Sequence, residues 1–401
     1  MPFPRRRADR RRRHRETAPG HGAPPPVLPD RAAPPLRIVT GTLLDASPHL
    51  LIVATASGEE RLTMTEATTV WHGGRGGPAA LRPGREVIVR PRTDGFGADR
   101  VWVDIGRVTG TMLACGRDTV EVDMGPHRGR AHVAVPPQVL EPLLVRHPRM
   151  EPGYLIDVIC VGSPDGPRAV RPGTPQPGHR ADDLAAPDPA APVPPVLHGT
   201  VTWWGGASAP PPRRRGLYED TWPYTADVLP PRARLAQLAP PPVTGREAHE
   251  SLLSLLDTGD VPGPGWDERA EAEESPTWRE FPLLTDGGAA YPAVDAETGG
   301  GCADAPSGCV PFPALSLGSE ITVHNRCGLR TATAIVVECG CVAARYCDRC
   351  VECGVSPRGR LAELTPAAFA ALGGDLETGC FNALVRPDVG GSLMRGSAVR
   401  W

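Results

Sequence analysis

From residue 37 the chain falls into short β-branched runs separated by turn-forming residues. The stretch RIVTGTLLDASPHLLIVATASGEERLTMTEATTVW (37–71) predicts strands joined by tight turns. The pattern then repeats. VTGT stands at 39–42 and again at 108–111, and RPGREVIV (82–89) is answered by EPGYLIDV (151–158). Both matches share an offset of 69, with Pro83-Gly84 over Pro152-Gly153. Two anchors at one offset make 35–105 and 106–165 two copies of one β module. Short antiparallel strands must close or be covered, so each copy is expected to form a five-stranded barrel of the OB kind. Further along, LHGTVTWWGG (197–206) reads as an apolar strand, while LGSEITVHN (317–325) and RTATAIVVE (330–338) alternate as half-buried strands do. ELTPAAFAAL predicts a helix, with Thr365 as cap and Pro366 at its first position. GREAHESLLSLLDTG predicts a short amphipathic helix with Leu252, Leu253, Leu255 and Leu256 on one side.

Composition sets these segments apart as islands. The 49 prolines and 46 glycines cluster between them. They predict a disordered Arg/Pro-rich tail (1–34), a Pro/Ala linker (166–196), a Pro-rich insertion (207–285) and a C-terminal tail (391–401). The expected fold class is therefore mainly β, with disordered linkers between barrels. All 43 basic residues are arginine, as a high-GC, actinobacterium-like coding bias produces. A net charge of -3 gives no whole-protein case for nucleic acid, and only the head RRRADRRRRHR (5–15) is strongly basic. Trp71 and Trp102 are the aromatics that an OB-like surface has for stacking bases, so a spacer or interaction role is expected of the repeats. Cys115 and Cys160, both in the second copy, are expected to be buried apolar residues. No run approaches the ~20 apolar residues of a membrane helix, and no apolar region follows the basic head, so neither a span nor a secretory signal is expected. The oligomeric state is not legible.

Candidate chemistry concentrates at 302–380, which holds Cys302, Cys309, Cys327, Cys339, Cys341, Cys347, Cys350, Cys353 and Cys380. Cys339, Cys341, Cys347, Cys350 and Cys353 include two overlapping C-x2-C spacings, the kind that places two thiolates on one turn of a zinc site. The pairs overlap rather than standing apart, and His324 is the nearby histidine. Without a signal peptide, zinc in an intracellular, non-catalytic interaction protein stands as one reading.

A second reading comes from a family likeness. FPALSLGSEITVHN, VECGVSPRGRLAELTPAAFAAL and GCFNALV resemble the double-psi β-barrel of the rare lipoprotein A-like (RlpA-like) proteins, relatives of expansins and barwins. Gly318, Val323 and Asn325 match its first motif. Glu352 and Gly354 fall at its acidic turn, and Arg360, Glu363, Leu364, Thr365, Ala367 and Ala368 fall on its last motif. TVTWWGG (200–206) resembles its opening strand, which makes 207–285 an insertion into a barrel that otherwise occupies 286–390. The likeness spans roughly 310–386 and leaves out the N-terminal half.

The resemblance implies an extracytoplasmic protein that binds or remodels peptidoglycan or another wall polysaccharide, with no cofactor. If active, it would be a lytic transglycosylase. It implies Glu363 as the proton donor, Glu352 as its partner, and Trp203, Trp204, Asn325 and Arg360 as substrate contacts. It also implies disulfides among the nine C-terminal cysteines. Two departures leave cleavage against mere binding open. Both acids are Glu where the family has Asp, and Phe312 stands where it has His.

Overall fold

The computed structural model describes residues 27–29, 32–74, 76–93, 95–146, 149–174, 180, 192–206, 283–297, 299–302, 309–347 and 359–388. The expectations for the basic head, most of the linker, the insertion with its amphipathic helix, and the C-terminal tail lie outside these residues, as do Glu352, Cys350 and Cys353.

The protein is mainly β, and its described part is three barrels. The first contains β1 (Val39–Ala46), β2 (Leu50–Thr55), β3 (Gly58–Thr63), β4 (Thr69–Trp71), β5 (Glu86–Pro91) and β6 (Ala98–Val103) in the order β3-β2-β1-β5-β6-β4. A parallel bridge from Thr63 to Gly97 brings β3 to β6. The second contains β7 (Ile105–Cys115), β8 (Thr119–Asp123), β9 (Arg130–Ala134), β10 (Leu155–Ser163) and β11 (Gly166–Pro172). Here β10 pairs with both β11 and β7, and β9 meets β11 in parallel, so the sheet closes. With β4 set aside as an extra strand of the first copy, the first strand of each copy pairs with the second and fourth, and the third runs parallel to the fifth. That is the OB arrangement.

The repeat holds down to single residues. A Cβ on Gly41 would stand 2.0 Å from the Ala54 carbonyl oxygen, and one on Gly110 would stand 2.1 Å from that of Asp123. The glycine of each VTGT thus lets the first strand coil tightly across the second. Gly84 and Gly153 both have positive φ, 85° and 84°. The bulge at Leu43/Asp45 in β1 recurs at Met112/Ala114 in β7. One addition was not expected from the repeat: α1 (Pro137–Arg146) sits between β9 and β10. Its Leu143 is fully buried in the second barrel's core.

The third barrel is built from β12 (Leu197–Trp203), β14 (Leu283–Tyr291), β15 (Glu320–Asn325), β16 (Arg330–Cys339), β17 (Arg360–Leu364) and β18 (Cys380–Pro387). It closes in the order β12-β17-β14-β16-β15-β18. The pairs β12–β17 and β14–β16 are parallel. Swapping the first three strands in chain order for the last three reproduces every pairing, which is the interlaced double-psi topology. The short β13 (Gly205–Gly206) leaves this barrel and pairs with β7 of the second. A Cβ on Gly206 would stand 2.1 Å from the Ile105 carbonyl oxygen, so the WWGG glycines are what allow the approach. α2 (Pro366–Ala371) follows β17, with Thr365 at its N-cap position.

One apolar cluster runs through all three barrels. It joins Trp71 and Trp102 of the first, Ile105, Leu155 and Ile159 of the second, and Trp203, Tyr291 and Phe369 of the third. Both OB tryptophans are therefore packed inside rather than offered for stacking. Cys309 and Cys347 form a disulfide, and Cys327 is disulfide-bonded as well. Cys302, Cys339 and Cys341 are thiols and depart from the disulfide expectation. Cys115 and Cys160 are unbridged, and Cys115 is exposed rather than buried. Among the described residues no helix is long and apolar enough to cross a membrane.

Candidate functional site

The β8–β9 hairpin of the second barrel reaches onto the third, and the two barrels meet there in two clusters. The hairpin tip is closed by Gly125 and Gly129, whose backbones pair at 2.8 Å. Gly125 has φ 94°, and a Cβ there would stand 2.5 Å from the Val342 side chain. Only a glycine admits so close a contact in that conformation. The tip carries His127 and Arg128 onto the third barrel.

Arg128 opens a chain of ion pairs. Its Nε donates to Glu338 at 2.7 Å and its Nη1 to Glu363 at 2.6 Å. Glu363 also accepts from Arg360 at 2.9 Å, and Arg360 donates to Asp157 at 2.5 Å. Asp157 in turn accepts two bonds from Arg107, at 2.8 and 2.7 Å. Arg107, Asp157, Arg360 and Glu363 have fully buried side chains, while Arg128 and Glu338 are 13% and 17% exposed. Arg107, Arg128 and Asp157 belong to the second barrel, and Glu338, Arg360 and Glu363 to the third. The second barrel thus brings two cations and one anion, and the third brings one cation and two anions. Neither set is neutral alone, and together they cancel.

Burial by itself would raise the pKa of Glu363, but Arg128 and Arg360 outweigh it and hold the carboxyl below its ordinary range. The same opposition, with Arg107 and Arg360 as the cations, depresses Asp157. Both carboxyls are therefore charged at neutral pH. Aromatic faces line the chain. Arg128 lies 5.1 Å over Trp204, and Arg360 lies 4.0 Å over Tyr346, whose hydroxyl donates to the Ile156 carbonyl at 2.6 Å.

The expected site residues that fall among the described ones now have places. Glu363 is in the ionic chain, but the acid that shares a cation with it is Glu338, because Ala290 of β14 pairs with both of them. Glu352 lies outside the described residues. Arg360 is wholly enclosed. Trp203 is buried with its indole nitrogen donating to the Leu376 carbonyl at 3.0 Å, and Trp204 is buried under Arg128. Asn325 holds a turn: its oxygen accepts from the amides of Cys327 and Gly328, and its nitrogen donates to the Leu372 carbonyl. These four side chains face inward and present no surface to a polymer. Arg107, Arg128, Asp157 and Glu338 were not singled out from the sequence.

Beside the ionic chain stands a cluster of His127, Cys302, Cys339 and Cys341, whose ligand atoms all lie within 4.8 Å of one another. His127 Nε2 is 2.9 Å from the Cys302 sulfur. A hydrogen bond from Cys341, working against burial, lowers the Cys339 thiol to about 4. Cys339 and Cys341 fall in the five-cysteine group singled out for metal. Cys347 does not join them, since it is bonded to Cys309, and Cys302 and His127 complete the cluster instead. His324, the nearby histidine by sequence, is buried elsewhere with its ring nitrogen 2.7 Å from the Thr331 hydroxyl.

A scan against family models finds no match, and a search of curated proteins finds no relative. Fold and site together define a class: a triple-barrel β protein whose second and third barrels share a buried ionic chain and a thiol–imidazole cluster.

Proposed function

We propose that the chain is a non-catalytic interaction protein, in which the double-psi barrel serves as a binding and structural module and cleaves no glycan. The observation that supports this reading is the state of Glu363. A glycosidic general acid must carry a proton at working pH and reach the leaving oxygen. Glu363 is fully buried, charged and held between two guanidiniums. The tryptophans that would line a sugar groove are buried, and those that would stack bases are packed between barrels. A wall polysaccharide is the partner that the C-terminal resemblance implies.

Incubation of the purified chain with peptidoglycan sacculi tests both parts. Neither the wild type nor Glu363→Gln is expected to release anhydro-muropeptides, and co-sedimentation with sacculi reads binding separately. Release by the wild type that is lost in Glu363→Gln would overturn the non-catalytic reading.

A further inference from the structure

We propose that His127, Cys302, Cys339 and Cys341 form a zinc site that ties the β8–β9 hairpin of the second barrel to the third barrel. Three thiols and one imidazole are a donor set that structural zinc takes. With Zn–S near 2.3 Å and Zn–N near 2.0 Å, a tetrahedral ion separates its ligand atoms by about 3.5–3.8 Å. The four donors here already converge within 4.8 Å.

Three separate pieces of backbone bring them together. β16 ends at Cys339, and the chain turns at once: the Gly340 amide bonds to the Tyr291 carbonyl at 2.8 Å, and Ala343 closes back on Gly340 at 2.8 Å. That turn sets Cys339 and Cys341 on one side. Cys302 follows a second tight turn, in which the Gly301 amide meets the Asp295 carbonyl at 2.8 Å. A Cβ on Gly301 would stand 1.9 Å from the Val294 carbonyl oxygen, so that loop is held against β14's continuation by a residue that only glycine can supply. His127 comes from the other barrel, on the glycine-bounded hairpin tip.

Two features argue for a structural ion. Four protein donors leave no position open for water or substrate. The donors also come from two barrels, so the ion acts across their interface, one residue away from Arg128. Metal binding therefore fixes the loop that keeps Glu338 and Glu363 paired. Three thiols cannot all be satisfied by disulfide formation among themselves, whereas one ion takes all three. The site also leaves the neighbouring Cys309–Cys347 disulfide intact, because it uses neither of those sulfurs. The proposal does not depend on what the scaffold binds.

The full chain, purified without chelator, is expected to carry one zinc per chain by elemental mass spectrometry. Exchange for cobalt should give tetrahedral d–d bands and a thiolate charge-transfer band. Cys339→Ser should abolish both, whereas Cys115→Ser, remote and exposed, should leave them unchanged. If Cys339→Ser fails to fold, His127→Ala serves instead, since that residue is exposed at the hairpin tip. It should shift the d–d bands, weaken zinc affinity by about 10-fold or more, and speed amide exchange at 124–129. Two results would overturn the proposal. One is a metal-free wild type in which two of the three cysteines are oxidised to a disulfide. The other is a cobalt spectrum unchanged by both Cys339→Ser and His127→Ala, which would put the metal elsewhere.

Discussion

Asp157 shows what a single buried charge requires. It sits in the apolar strand LIDVICVGS, fully enclosed, and it survives there because Arg107 and Arg360 both bond to it. Removing one partner of such a pair leaves an uncompensated buried charge and costs about 3–5 kcal/mol. Asp157→Asn is therefore expected to lose stability on that order at neutral pH, read from denaturant midpoints. The pH dependence follows from the direction of the shifts. Asp157 and Glu363 both have folded-state pKa values below their unfolded ones. Their stabilisation is thus fully present above the ordinary carboxylate range near ~4, and it is lost as pH falls below that through the folded values. The carboxylate part of this dependence, read as the difference in thermal midpoint between the wild type and Asp157→Asn, should stay level from neutral pH to about 5 and shrink below about 4. A difference that shrinks steadily between about 7 and 5 would mean that Asp157 is not held as described. A fall common to both proteins there belongs instead to His72, His198 and His324, whose folded values lie below the ordinary imidazole one.

At the scale of elements, the two OB copies use glycine for two different purposes, and substitution should separate them. Gly41 and Gly110 face a carbonyl oxygen at a distance no Cβ can share. Their alanine variants should each cost about 1–3 kcal/mol by forcing strand from strand. Gly84 and Gly153 instead occupy left-handed backbone, where alanine costs about 1–2 kcal/mol whatever the space. Matched losses for Gly41→Ala and Gly110→Ala in urea titrations would confirm that the copies share one physical design. A neutral Gly110→Ala would refute it. The repeat also carries a signal about the site. At the same offset of 69, Arg107 and Asp157 stand where the first copy has Ile38 and Ile88. Two apolar residues replaced together by an arginine and an aspartate, on strands that pair, point to a buried ion pair and a polar partner beyond it.

The three described barrels are joined by apolar and ionic contacts. One apolar cluster crosses all three barrels. Arg90 and Arg100 of the first barrel pair with Asp375 of the third, and Arg100 also pairs with Glu377. Tyr346 and Arg345 of the third reach polar groups of the second. Barrels joined in this way should unfold together. Calorimetry of the intact chain is expected to show one cooperative transition for the three, with calorimetric and van't Hoff enthalpies in agreement. Resolved transitions would show the barrels to be independent.

The repeated strand pattern, the glycine pairs and the Pro-Gly turns are local properties, carried by neighbouring residues and by a constant offset. The chain alone was therefore enough to specify two OB copies, the strands at 320–325 and 330–339, and the helix after Thr365. It was not enough for the second copy's closing strand β11 (Gly166–Pro172), which falls in the stretch read as a Pro/Ala linker. The fate of the charged and sulfur-bearing side chains is of another kind. His127 is 175 positions from Cys302, and Arg128 is 235 from Glu363. No period or spacing connects them. Whether Glu363 is an exposed acid or an enclosed anion depends on which surface packs against it. That surface, a hairpin from a different barrel, exists only once the chain has folded and the barrels have docked.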